Sequence, residues 1–452
     1  MIIKTYALKA LGILLLAFFM SCASNRYNPI NLIEQNIYRS EWGVAIAAIE
    51  SDHARRTIYQ RRNTLLFHLD RGIVRHYAGL WQDSISDLHE AEQMISDAFT
   101  RSISQEIGTF IASDNVRDYP GEDYEDIYTN VFNALNYYHL NNLEGALVEI
   151  RRVNEKLRYL STKYERARQR ITDSNPELDS PEYNIEAVSF SNSALARYLG
   201  VLFYRAIGNY DSARVDMEGL FEAFRLAPDV YNHEPPLSLE HELSVPDNMA
   251  RLNIIGFTGL SPKKEEVNLF LPLPLPPPNS ITRLSLPRLV ERPSAINRVE
   301  VIISNGLTAS ASSAEVLNLE LLESINNVIN ETYKANYSLV VLKSTARTIG
   351  KSMATAGISA AVRSSDNENA DTLGALIGIA GRIATDLSEQ ADIRMARFFP
   401  GAAYVGGINL EPGVYSIRVN FYGSNGFIAS DSRHNIHINE GRLNLLEFIC
   451  LR

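Results

Sequence analysis

A spaced pattern that recurs in the first half of the chain constrains its fold more than any other feature. Counted from Gly72, positions +7, +9, +12, +16 and +19 hold a turn former, a large apolar residue, a small residue and two apolar residues. The same order recurs from Ala134 and Val201, and a weaker copy starts at Ile33. A turn former that tolerates a left-handed backbone, followed by apolar residues at helical spacing, predicts a helix, a tight turn and a second helix.

This pattern resembles the tetratricopeptide repeat (TPR), in which small and bulky apolar residues stand at the same positions. The units are spaced unevenly and lie farther apart than the ~34 residues of a regular array, so extra helices or loops are expected between them. First helices are predicted over residues 63–77 and 126–140, and an extended second helix over residues 143–168. The turns of the four units are predicted at Ser40, Gly79, Asn141 and Gly208.

The second half changes character after Pro228, where prolines interrupt helical patterns and strand-like stretches begin. Helices are predicted over residues 326–362 and 373–397, between two groups of strands. The strands are predicted over residues 252–258, 266–270, 281–284, 297–303, 404–409, 414–422, 427–428, 436–439 and 443–450.

Together these patterns predict an α+β protein with two folded parts. A TPR-like α-solenoid is predicted over residues 32–228. A mixed domain is predicted over residues 229–452, with antiparallel β-strands in a sandwich-like or barrel-like arrangement and inserted helices over residues 326–397. Whether its strands form one module or two is left open by the sequence.

The N-terminus has the features of a secretory signal. Lys4 and Lys9 precede an apolar run over residues 10–20. That run is too short to span a bilayer, which needs roughly 20 apolar residues, and has the length of a signal-peptide core. It ends in Ser21-Cys22, which resembles the lipobox, where a small residue precedes the cysteine that becomes acylated.

We therefore predict a signal peptide over residues 1–21, lipidation at Cys22 and a short tether over residues 22–31. Ordinary secretion with cleavage nearby, and an uncleaved anchor, are the alternatives. No Asp follows Cys22, and by the enterobacterial sorting rule this favours the outer membrane. The expected location is the cell envelope, with the protein anchored in the outer membrane and facing the periplasm.

Composition narrows the classes of function. The formal net charge is -10, and this acidic balance argues against a nucleic-acid binder, which needs a basic face. The chain has two cysteines, too few for a disulfide framework or a cysteine-based zinc site, and Cys450 is predicted to be a buried structural thiol. No catalytic or nucleotide-binding motif stands out, so we predict no enzyme activity, no cofactor and no bound metal.

The first helices of a tetratricopeptide domain line a concave face that holds a peptide or a partner helix. Carrying that resemblance over predicts a groove that binds an envelope protein or peptide, while the lipid holds the membrane. The alternative is that these side chains pack between helices. The predicted partner-binding residues are His76, Tyr77, Tyr128, Tyr138, His139, Tyr198 and Arg205.

Several longer stretches resemble a family of bacterial tetratricopeptide-containing lipoproteins of uncharacterised function. The residues that carry this resemblance are Tyr124-Glu125-Asp126, Ala134-Leu135-Asn136-Tyr137, the stretch 145–154, the stretch 259–265, 390–394 and Pro412-Gly413-Val414-Tyr415. The resemblance implies location and architecture rather than a reaction. Relatives are often encoded near lipoproteins that resemble activators of penicillin-binding proteins, which by association suggests envelope biogenesis.

Charged residues within these stretches are predicted to tie the two parts of the chain together. Glu149 and Arg152 lie one helical turn apart and are expected to pair. Polar ties at a junction fix orientation more than they add stability. The predicted interdomain residues are Glu149, Arg151, Arg152, Lys263, Glu265, Asp392 and Arg394.

An acidic cluster formed by Glu122, Asp123, Glu125 and Asp126 has two interpretations. Acidic residues favour a helix N-terminus, where they complement the helix dipole, and this is the preferred interpretation. The alternative is a pair of carboxylates that hydrolyses cell-wall glycan. The sequence thus favours a non-catalytic adaptor or scaffold in envelope biogenesis, with a cell-wall hydrolase or a purely structural lipoprotein as the alternatives.

Overall fold

The computed structural model describes residues 29–104, 117–174, 190–272, 281–305, 314–334, 336–337, 340 and 391–452. The predicted signal peptide, Cys22 and most of the tether lie outside the described residues, as does most of the predicted helical insertion. The helices of the first half are α1 Pro29–Tyr38, α2 Trp42–Glu50, α3 Asp52–Thr57, α4 Thr64–Tyr77, α5 Trp81–Ser104, α6 Asp123–His139, α7 Leu143–Ser174, α8 Ala194–Ala206 and α9 Tyr210–Leu226.

Helical hairpins form at each of the predicted turns. The turn residues have positive φ angles: 57° at Ser40, 74° at Gly79, 57° at Asn141 and 76° at Gly208. The small residue five positions after each turn is fully buried, as at Ala146, because there the two helices of a hairpin touch. The predicted hairpins and turns are confirmed, and the described part of the long second helix extends six residues past its predicted end.

The strands of the second half are β1 Ala250–Leu260, β2 Lys263–Pro272, β3 Ile281–Val290, β4 Arg298–Asn305, β5 Glu315–Ser324, β6 Pro400–Leu410, β7 Gly413–Gly423, β8 Gly426–Ile438 and β9 Asn444–Cys450. Seven of them form one nearly closed, barrel-like sheet in the order β8-β7-β4-β5-β6-β1-β9. Its described pairs are antiparallel except β1 with β9, which is parallel. The question that the sequence left open is thereby answered: the last strands share one sheet with β1, β4 and β5, whereas β2 and β3 pair separately.

The sheet has an apolar core on each of its two faces. Strand β1 is buried along its whole length. Because side chains alternate between faces, Leu252 and Ile254 point into the sheet interior, where Cys450 is also buried as predicted. Ile255 and Phe257 point the other way and join the core of the helices. The helical hairpins therefore pack directly on the β1 side of the sheet.

Two predictions for the second half are wrong. Strand β5 was not predicted, and residues 391–397, predicted as the end of a helix, form an irregular segment. In this segment the backbone N–H of Ala396 donates to Glu125 and that of Arg397 to Asp70, instead of to carbonyls of a helical turn. We call residues 391–399 the strap. A helix does follow β5, over residues 325–334, where one was predicted to begin.

In the described part of the chain, no helix combines the length and the apolar character that crossing a bilayer would require.

Candidate functional site: the junction of helices and sheet

The face of the helices that was predicted to bind a partner is covered by strands β1, β5 and β9 and by the strap. Tyr128 and Tyr198 are fully buried. The Tyr77 hydroxyl donates to the Phe398 carbonyl, and the Tyr138 hydroxyl accepts from the Leu445 backbone N–H at 3.0 Å. The remaining predicted residues, His76, His139 and Arg205, also bind groups of the second half. These seven side chains thus contact the chain's own second half, and they do not line an open groove.

Glu447 of β9 lies between two histidines of the helices. Its carboxylate is 3.1 Å from His76 Nε2 and 2.5 Å from His139 Nε2. The His139 ring stacks on Trp81 with centroids 4.4 Å apart. Burial alone would raise the pKa of Glu447, but the two imidazoles outweigh it and hold that pKa well below its usual range. Glu447 therefore stays ionised in the junction.

Both ring nitrogens of His76 have oxygen neighbours. The Ser84 hydroxyl donates to the Gly72 carbonyl at 2.7 Å, so its oxygen accepts from Asn136 Nδ2 at 2.9 Å. Asn136 Oδ1 is then the atom that faces His76 Nδ1, at 2.8 Å. The two ring nitrogens of His76 thus face Asn136 Oδ1 and the Glu447 carboxylate. His76 accordingly bridges Asn136 of the helices and Glu447 of β9.

Glu323, near the end of β5, accepts hydrogen bonds from three residues of the first half and from Tyr231, just after it. The hydroxyls of Tyr128 and Tyr231 each donate at 2.6 Å, and the Ser193 hydroxyl donates at 3.0 Å. The Leu195 N–H, in the first turn of α8, donates at 3.2 Å. Complete burial raises the pKa of Glu323 even though these donors favour the carboxylate. The side chain fills the N-terminus of α8, where orphan N–H groups need an acceptor.

A third buried acid, Glu242, accepts from two arginines. Arg205 Nη1 donates to it at 2.5 Å and Arg251 Nη2 at 2.8 Å. Asn253 of β1 also donates to Glu242, at 2.9 Å, and to the Tyr198 hydroxyl, at 3.0 Å. Arg205 is predicted as a partner-binding anchor, yet its guanidinium is taken up by this network. The network joins α8 to β1 through the loop that carries Glu242.

Where the strap crosses the helices, the buried acids belong to the helices and the hydrogen-bond donors belong to the strap. Asp70 of α4 accepts from the Arg397 N–H at 2.8 Å, and Glu125 of α6 accepts from the Ala396 N–H at 2.5 Å. Burial raises the pKa of Asp70 to about 6, and burial together with the nearby Glu122 raises that of Glu125 to about 8. Glu125 is thus largely protonated at neutral pH.

Of the predicted interdomain residues, Arg394 and Asp392 lie at the junction. Arg394 Nη1 donates to the Arg117 carbonyl at 2.8 Å and to Asn63 at 3.3 Å, while Asp392 holds its guanidinium at 2.7 Å. The Arg394 guanidinium also lies over the Tyr119 ring. The strap is therefore fastened to the start of α4 by this pair.

The other predicted interdomain residues contact only their own half among the partners that we can describe. Glu149 pairs with Arg152 at 3.4 Å, as predicted from their spacing, but both lie on α7 within the helical half. Arg151 donates to the Leu147 carbonyl of the same helix. Lys263 and Glu265 pair with each other on β2 at 2.9 Å. The prediction that these five residues lie at the junction is wrong. The helical period of α7 and the alternation of side chains along β2 direct them away from it.

The neighbour of this last pair, Lys264, makes the tie that the sequence missed. Its ammonium binds Glu122, which also accepts from Asn336 at 2.7 Å. Glu122 is the N-cap of α6 and forms a capping box with Glu125. Asp126 binds Lys156 at 2.6 Å and Asp123 binds Lys163. The acidic cluster stands at a helix start, as predicted, and each of its carboxylates has a partner from the chain itself.

His89, Glu92 and Glu149 form the cluster closest to a metal site in the parts of the chain described here, with ligand atoms within 4.8 Å of one another. The Glu92 oxygens, however, accept from Lys156 and Arg152 at 2.9 Å and from Asn130 at 3.0 Å. Two cations thus already occupy the positions that would neutralise this cluster. The arrangement is an ion-pair network between α5, α6 and α7.

Comparison with protein-family models, with curated proteins and with solved structures finds no significant match to this chain.

Sequence reasoning missed the acids of the second half, although they leave a signal. Glu447 stands within an apolar run, Leu445-Leu446-Glu447-Phe448, and Glu323 directly follows Leu321-Leu322. An acid inside such a run must be buried with donors around it or disrupt the strand. An isolated acid in an apolar strand is therefore a pointer to a polar junction.

Proposed function

We propose that the chain is a lipid-anchored scaffold of the bacterial cell envelope that binds an envelope protein and catalyses no reaction. The proposal rests on what the buried acids, histidines and arginines of the junction bind. They bind each other across the two halves, so they serve to hold one rigid body and not to meet a substrate. A rigid body on a short tether is what a scaffold needs to present a surface at a fixed height.

The proposed tether is short because α1 is already packed into the core. Ile33 and Ile37 of α1 are fully buried, and the helix begins at Pro29. Six residues lie between Cys22 and Pro29, and the seven steps from one to the other span at most about 25 Å when fully extended. An acylated Cys22 would keep the folded body next to the membrane surface.

The proposed partner surface is the edge formed by the hairpin turns, which we call the turn edge. An exposed apolar side chain stands at or beside three successive turns: Leu80 is 45% exposed, Leu140 39% and Ile207 49%. Tyr210, at the start of α9, is 44% exposed. Because neighbouring hairpins pack side by side, these residues form a row that an apolar partner segment can cover.

Site-specific photo-crosslinking in the native membrane tests this proposal. A photoreactive residue at position 140 or 207 should give one shared adduct, whereas the same residue at Leu237, which is 71% exposed on the segment between α9 and β1, should not. Adducts at 237 but not at 140 and 207 would reject the turn edge as the partner surface.

The membrane anchor is tested separately. Cys22→Ala should release the protein from the membrane fraction and abolish metabolic labelling with a fatty acid. Continued fractionation with the membrane, without the label, would contradict lipidation and leave the turn-edge test unaffected.

A further inference from the structure

Strands β2 and β3 form a two-stranded ribbon that stands apart from the seven-stranded sheet. The near part of the ribbon is held by the body: Lys264 binds Glu122, the Pro287 carbonyl accepts from Tyr333, and Glu266 accepts from the Ala391 N–H. The far part lacks such cover in the described residues. Leu269 is 41% exposed and Phe270 is 66% exposed.

The exposure of these two adjacent residues means that both faces of the ribbon are open at this level. Neighbouring residues of a strand point to opposite faces, so Leu269 and Phe270 cannot share one uncovered face. Two large apolar side chains on opposite faces of a projecting ribbon are costly in water, by about 25 cal/mol for each Å² of apolar surface left uncovered. A medium that surrounds the ribbon, and does not merely lie against one side of it, would remove that cost.

Two contacts place α1 beside the segment that leads into β3. The Tyr38 carbonyl, at the end of α1, accepts from Arg452, whose own carbonyl accepts from Ser294. One turn earlier in α1, Glu34 binds Arg292 at 3.2 Å. The N-terminal turns of α1, which lead to Cys22, therefore lie beside the base of the ribbon.

The length of the ribbon and the length of the chain between α1 and Cys22 are similar. Phe270 pairs with Arg283, seven residues from the ribbon base at Val290. At ~3.3 Å per residue, Phe270 can lie up to about 30 Å from Arg292. From Glu34, five helical residues and the seven residues before Pro29 let Cys22 reach as far as about 33 Å. Cys22 and Phe270 can therefore reach one plane.

We propose that Leu269 and Phe270 enter the bilayer that holds the acylated Cys22, as a second membrane contact of the protein. This inference rests on the proposed lipid anchor. The acyl chains supply the affinity. The ribbon adds a second point of contact, so the body has one orientation on the membrane and does not swivel on its tether.

The test uses the full-length protein in vesicles of phosphatidylethanolamine and phosphatidylglycerol. Phe270→Cys is labelled with a polarity-sensitive fluorophore, and Phe427→Cys, which replaces a side chain 61% exposed on β8, is the matched control. The native thiol Cys450 is buried and an acylated Cys22 has no thiol, so the unsubstituted protein should not take up the label. Labelling of the unsubstituted protein at Cys22 would show that the anchor proposal has failed, independently of the ribbon.

We expect the probe at 270 to shift to shorter emission wavelength and to be quenched by nitroxides on the lipid chains, whereas the probe at 427 should show neither effect. Equal, unquenched emission at the two positions would overturn the proposal. A blue-shifted probe at 270 that lipid nitroxides do not quench would also overturn it, because protein and not lipid would then surround the ribbon.

Discussion

Each half of the molecule places buried acids in the junction that the other half supplies with donors. Glu447 and Glu323 come from strands and are bound by side chains of the helical half. Asp70 and Glu125 come from helices and are bound by backbone N–H groups of the strap. Burying a carboxylate is costly unless its lone pairs are satisfied, so these contacts are available in one relative placement of the halves only. These contacts fix the relative orientation of the two halves more than they add to the stability of the interface between them.

Glu323 offers the sharpest single-residue test of this view. Glu323→Leu leaves three hydroxyls and one N–H without their acceptor and should lower the free energy of unfolding by about 3 to 5 kcal/mol. Glu323→Gln keeps one acceptor oxygen and should lose less. Urea unfolding measures both, with Glu315→Gln and Glu315→Leu as controls at an exposed site of the same strand. Equal stability of the 323 and 315 variants would contradict the role given to Glu323.

The raised pKa of Glu125 predicts a pH dependence with a definite sign. The folded protein keeps the proton up to a pKa of about 8, whereas the unfolded chain releases it near the ordinary value of 4.5. Between these values the folded state binds more protons, so stability falls as pH rises, by at most about 1.4 kcal/mol per pH unit. Glu125→Gln should flatten the profile of unfolding free energy against pH in this range. An unchanged slope would show that another group is responsible.

At the scale of elements, the hairpins are the part that could be predicted, because their signals are local. A turn former with a left-handed backbone and a small residue at the helix contact are both visible within about twenty residues of sequence. The strap, by contrast, carries Ala, Ile and Met at helical spacing, but its N–H groups find acids on α4 and α6 that are far away in sequence. The parallel pairing of β1 with β9 is equally invisible to local patterns.

Two glycines in hairpins form a matched pair that tests the turn assignment. A methyl group on Gly43 or on Gly208 would meet nothing within 4 Å, but Gly208 has a φ of +76° while Gly43 is helical. Gly208→Ala should therefore cost about 1 to 2 kcal/mol through the backbone alone. Gly43→Ala should be neutral or stabilising by up to about 1 kcal/mol. Thermal unfolding compares the two, and equal effects would argue against a left-handed turn at Gly208.

On the scale of the whole molecule, the two halves share one apolar core as well as the polar junction. Phe132 of α6 contacts both Phe257 of β1 and Phe399 of the strap. Neither half can expose this surface without losing a large buried area. The halves that the sequence predicts as separate domains should therefore behave as one folding unit.

Scanning calorimetry tests whether the two halves unfold together. The intact protein should unfold in a single transition, because unfolding one half uncovers the core of the other. Arg205→Met, which leaves Glu242 with one arginine instead of two, should weaken the coupling and broaden or split the transition. The control is Arg214→Met, which removes an exposed ion pair within α9. Two transitions in the unsubstituted protein would mean that the halves fold independently.

The tie between His76 and Glu447 joins residues that are 371 positions apart. A ribosome adds roughly 5 to 20 residues per second, so His76 waits roughly 20 to 70 s for its partner to be synthesised. Throughout that interval the apolar residues that later pack on the sheet, and His76 among them, are without their partners from the second half. The same surface that makes the finished molecule rigid is, during biogenesis, a prolonged opportunity for holdase capture or proteolysis.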